Sequence, residues 1–73
     1  MVLTVARTGH TPVEREFDTT VPDELAELEK QFQQNRDEGM LAVATRPDGS
    51  KVQVNDLDQE AEEIVFHSPL VGG

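Results

Sequence analysis

The sequence predicts an α+β domain of element order ββαβββ, one helix packed on a mixed sheet. Three observations carry that expectation. Apolar residues alternate with polar ones in the first and last segments, which is the two-residue period of strands. A single stripe with helical spacing occupies residues 21–38. Turn residues separate the segments at the spacing of hairpins rather than of helical crossovers.

In Val2–Arg7, Leu3 and Val5 alternate with Thr4 and Ala6, and the breakers Thr8-Gly9-His10-Thr11-Pro12 follow. Val13 and Phe17 then share one face of a second strand, with Glu14, Glu16 and Asp18 on the other, so the two segments should pair as a hairpin with one wet side. Thr20 with an acidic residue three positions later resembles a capping box, and Pro22 is tolerated in a first turn whose N–H groups are unused. Val21, Leu25, Leu28 and Phe32 recur at steps of four, three and four and define one apolar stripe. Asp23 and Glu24 suit the positive end of the helix dipole, Arg36 the negative end, and Gly39 a left-handed stop, so the helix should run from about Val21 to Glu38. That stripe reads as packing surface before it reads as a partner groove.

Met40–Thr45 is an apolar run fit for a central strand. Pro47-Asp48-Gly49 is turn chemistry that should return Lys51–Val54 antiparallel, with Val52 and Val54 inward. No phosphate-cradling motif surrounds Gly49. Residues 55–62 read as a loop or a single helical turn pinned by Leu57, and their alternating acids lack the Gly and the closing Glu of a calcium loop. Ile64 and Phe66 share one face of a fifth strand, with Val65 and His67 on the other, and Pro69 ends it. The first and last strands can lie side by side. Leu3, Val5, Val13, Phe17, Leu25, Leu28, Phe32, Leu41, Val43, Val52, Val54, Ile64 and Phe66 are the expected core.

At 73 residues the chain is one small domain, able to bury only about 60% of its unfolded surface, which leaves little room for a large substrate pocket. The absence of Cys removes disulfides, thiolate chemistry and cysteine-ligated zinc and suits a cytoplasmic setting. Met1–Ala6 is too short for a signal peptide or a membrane span. Fifteen acidic against six basic residues give a net charge of −9, which disfavours nucleic acid and favours a basic partner surface. Asp56, Asp58, Glu60, Glu62 and Glu63 concentrate that charge near the end, either as a solvated face or as a docking patch, and a mimic of DNA is supported by charge alone. His67 and Ser68 are strand neighbours that point to opposite sides, His10 sits in a turn, and Glu62 and Glu63 need no special role, so no active site or metal site is expected.

The stretch that organises the rest is the ending. Two terminal glycines occur by chance in roughly 0.5% of chains, so Gly72-Gly73 invites a chemical reading, although frayed or vector-derived ends also collect such residues. The segment Glu62-Glu63-Ile64-Val65-Phe66-His67-Ser68-Pro69-Leu70-Val71-Gly72-Gly73 resembles the ending of molybdopterin-synthase small subunits, in which acids precede an apolar strand, a Phe, a Pro, an aliphatic pair and Gly-Gly. The element order resembles the β-grasp fold of ubiquitin and of the prokaryotic sulfur carriers. That resemblance implies a β-grasp domain over residues 1–67 and a flexible tail over 68–73. It implies a carrier rather than an enzyme, with no cofactor of its own. Gly73 would be the residue activated by an ATP-dependent adenylating enzyme, Gly72 would help the tail thread that enzyme's channel, and Phe66, Pro69, Leu70 and Val71 would contact partners. A downstream sulfur acceptor or target protein would then receive the product. The alternative is an acidic β-grasp interaction or regulatory module, of a kind found in assembly and phage proteins, that binds without covalent chemistry.

Overall fold

The computed structural model describes residues 1–68, and the elements run β1 (Val2–Ala6), β2 (Val13–Glu16), α1 (Pro22–Asp37), β3 (Leu41–Thr45), β4 (Lys51–Val54) and β5 (Glu63–His67). The architecture is α+β, one helix against a five-stranded mixed sheet of order β2-β1-β5-β3-β4. Each hairpin expected from the turn residues is present and antiparallel, Leu3 opposite Arg15 in the first and Ala44 opposite Val52 in the second. The strand that joins the two halves is β5, parallel to β1 through Leu3 and Ile64 and antiparallel to β3 through Ala44 and Ile64.

The turns follow from their residues. Gly49 has φ of +88° and closes the second hairpin, with its N–H donating to the Arg46 carbonyl at 2.8 Å. Asp48 organises the same turn by accepting from the Ser50 N–H at 2.9 Å and from its hydroxyl. The helix ends in a Schellman motif, where Gly39 at φ +85° donates to the Arg36 carbonyl at 2.9 Å and Met40 donates to the Asn35 carbonyl at 3.1 Å. Met40 is buried and joins the core cluster immediately after the helix.

Three local expectations need correction. The Thr20 capping box does not form: Val21 is the N-cap and provides no side-chain bond. Thr20 instead donates its N–H and hydroxyl to Asp18, and the Asp18 N–H donates to Glu24 Oε1 at 3.2 Å, so the reciprocal contact is made two residues earlier. In β3 the buried residues are Ala42 and Ala44, while Leu41 and Val43 are half-buried on the opposite face. The cause is register. Ala42 stands beside Phe66 and Ala44 beside Ile64, and with Phe32 and Leu28 filling the space above them that layer admits only small side chains. Val13 is 58% exposed and Val52 38%, although both lie on the helix side, because they sit on the edge strands beyond the reach of one helix. Residues 55–62 take the loop form of the two expected, with Leu57 packed against the core and Ala61 buried within it.

The core therefore lies under α1 and comprises Leu3, Phe17, Leu28, Phe32, Met40, Ala42, Ala44, Ala61, Ile64 and Phe66. Phe32 and Phe66 meet edge to face, with centroids 5.1 Å apart, a geometry worth about 0.5–1.5 kcal/mol beyond area burial.

Candidate functional site

Two places could carry function. The first is the root of the C-terminal segment. β5 lies in the middle of the sheet, and each of its five residues is paired with β1 on one side and β3 on the other. His67 is paired with Ala6 and with Leu41, and the Ser68 hydroxyl accepts from the Thr8 N–H at 3.3 Å. The expected partner-contacting residue Phe66 is wholly buried against Phe32, so its side chain is a packing element and presents no surface to a partner. Pro69, Leu70, Val71, Gly72 and Gly73 lie outside the described residues.

The acidic stretch leading to β5 is partly engaged in structure. Asp58 accepts from Arg46 Nε at 3.2 Å and from the Glu60 N–H at 3.0 Å, and Glu63 accepts from the Thr4 hydroxyl at 3.3 Å. No group of three or more His, Cys, Asp or Glu among the described residues is arranged to hold a metal ion.

The second place is a groove between β2, the end of β1 and α1, lined by Leu3, Val5, Arg7, Val13, Arg15, Gln31 and Asn35 and enclosing about 220 Å³. Its floor is apolar and its rim carries two of the six cations of an acidic chain. Arg7 is held by Glu38 at 2.8 Å, an exposed pair, and Arg15 lies over the Phe17 ring at 5.0 Å. Asn35 is buried, and its Nδ2 has no hydrogen-bond partner among the described residues. The groove is smaller than the roughly 300–1,000 Å³ usual for small-molecule and cofactor sites.

Sequence reasoning did not single out this groove. Two signals were available. The helical stripe continues three residues past Phe32 to Asn35, a polar residue at a core position. Arg15 likewise interrupts the apolar alternation between Val13 and Phe17 on the inward face of β2.

No protein family, curated protein or solved structure matches this chain at a significant level.

Proposed function

We propose that this chain is a β-grasp carrier of the ubiquitin-like or sulfur-carrier type, activated at the carboxylate of Gly73 by an ATP-dependent adenylating partner. The observation that carries the proposal is the sheet order β2-β1-β5-β3-β4, in which the last strand is central and parallel to the first. Such a placement gives a C-terminal segment the firmest root the fold can offer, and it agrees with the resemblance of residues 62–73 to the carrier ending.

In this reading a Gly73 carboxylate oxygen attacks the α-phosphorus of ATP and displaces pyrophosphate, leaving an acyl-adenylate. Sulfide, a thiol or an amine then attacks the carbonyl carbon and AMP departs with the bonding pair of the anhydride oxygen. With sulfide the product is a thiocarboxylate, which a downstream acceptor or target protein receives. Gly72 and Gly73 lack Cβ atoms and so fit a narrow channel beside the nucleotide. Pro69 limits the entropy lost when the segment is held extended, and Leu70 and Val71 provide apolar anchors. The chain contributes no catalytic group, the nucleotide belongs to the partner, and the setting is cytoplasmic.

A second reading, an acidic module that binds without covalent chemistry, is favoured by one observation, the exposed edge and groove at β2. Deleting Gly72 and Gly73 separates the two. The carrier reading expects ATP-dependent adduct formation with an adenylating enzyme to disappear while the fold, followed by circular dichroism, is retained. Adduct formation that persists after the deletion contradicts it.

A further inference from the structure

We infer that the free edge of β2 and the groove beneath it form a docking site for an extended peptide of a partner protein, one that alternates basic residues with an acidic and an aliphatic residue. This site uses no property of residues 69–73, so it stands or falls separately from the carrier reading.

The direction of the backbone groups follows from one pair. The Phe17 N–H donates to the Met1 carbonyl at 2.8 Å, and the Met1 amine donates to the Phe17 carbonyl at 2.7 Å, so these residues exchange both bonds. Antiparallel ladders alternate, so Leu3 with Arg15 and Val5 with Val13 are the next bonded pairs. Glu14 and Glu16 consequently turn their N–H and C=O groups away from β1. Among the described residues β2 is an outer strand of the sheet, paired with β1 alone and exposed along its whole length. Those outward groups are the template for one more strand.

Side chains then dictate what that strand should carry. Residues of an added strand opposite Val13 and Arg15 fall on the groove side, and residues opposite Glu14 and Glu16 fall on the other. Val13 is the most exposed large apolar residue among those described, beside the groove's Leu3 and Val5 floor, and calls for an aliphatic neighbour. Arg15 makes no ion pair among the described residues, and with Arg7 and the unpartnered Asn35 amide it favours a carboxylate. Glu14 and Glu16 favour Lys or Arg on the opposite face. The complementary pattern, read antiparallel, is Lys-Glu-Lys-Val. The same charges that attract this pattern repel strands with the opposite one, which keeps the edge selective.

The test uses the full chain, labelled with ¹⁵N, and the peptide acetyl-Thr-Lys-Glu-Lys-Val-Thr-amide, followed by NMR at about 0.15 M salt so that unspecific attraction to the acidic surface is screened. The control, acetyl-Thr-Lys-Lys-Glu-Val-Thr-amide, has the same composition and charge but places Glu and Val on opposite faces. The expected result is a set of shifts at the Glu14 and Glu16 amides and at the Asn35 side-chain amide, with binding about tenfold tighter than the control. Glu14→Pro removes one outward N–H while leaving the ladder to β1 intact, and should abolish the shifts in a folded protein. Arg15→Glu should weaken the peptide and restore binding to its Glu-to-Lys counterpart. Equal binding of the control, shifts confined to another surface, unchanged binding by folded Glu14→Pro, or an edge already occupied by a second copy of the chain would each overturn the proposal.

Discussion

Phe66 is the largest fully buried side chain among the described residues. It is fully buried, stands edge to face on Phe32, and is flanked across the sheet by Val5 and Ala42. Truncating such a ring removes its transfer free energy and leaves a cavity that a tightly packed layer cannot close. Phe66→Ala should therefore lose about 3–5 kcal/mol in urea or guanidinium unfolding, against a total of roughly 4–11 kcal/mol for a domain of this size. A loss below about 1 kcal/mol would mean that the Phe32 contact is not formed.

Asp18 and Asp48 share a second residue-scale device. Each carboxylate accepts a hydroxyl and an N–H from the residue two positions on, Thr20 and Ser50 respectively, at 2.6 and 2.9 Å. These bonds, the side-chain one foremost, hold both carboxyls below the usual aspartate range. A carboxyl whose pKa is lower folded than unfolded stabilises the fold in full above its unfolded value near 3.9. That contribution is lost as pH falls through the lower folded value. The stability difference between the native chain and Asp48→Asn, measured by denaturant titration, should accordingly narrow as the solution is acidified below the unfolded aspartate value of about 3.9. A difference independent of pH would show that the Ser50 bonds do not favour the charged form.

At the scale of elements, much of the architecture was legible because local chemistry and global pairing agree. Pro47-Asp48-Gly49 specified the β3–β4 hairpin, and Gly39 specified the end of α1. The order of elements and the adjacency of β1 and β5 followed from the same reading. Facial assignment was less legible. Leu41 and Val43 look more like core than Ala42 and Ala44, yet the buried Met40 that closes the helix fixes the parity of the strand, and the aromatic pair above it leaves room only for methyl groups. The period of β2 points Val13 inward. The period was right, but a single helix does not cover an edge strand. The groove is illegible in the sequence for a different reason. Asn35 and Arg15 break their apolar patterns, and a broken pattern in one sequence shows a polar group without showing what it faces. The root of the C-terminal segment was legible from Ile64 and Phe66, whereas the burial of Phe66 depends on α1 crossing β5.

The whole molecule combines a small core with a net charge of −9. A charge of that size keeps so small a chain dispersed and raises its encounter rate with basic surfaces, an effect that salt screens over about 8 Å at physiological ionic strength. Asp58 before β5 and Glu63 at its start serve the fold through Arg46 and Thr4, leaving Asp56, Glu60 and Glu62 exposed. The two proposed functions would not compete for one surface, because the β2 edge is one margin of the sheet and the root of the C-terminal segment is its centre. The central claim is that the Gly73 carboxylate is the reactive group, and intact-mass spectrometry tests it most directly. Incubated with ATP, sulfide and an adenylating enzyme of the carrier class, the chain should gain about 16 Da as one oxygen is replaced by sulfur. A mass that stays unchanged with every such enzyme, while the fold remains intact, would contradict the account.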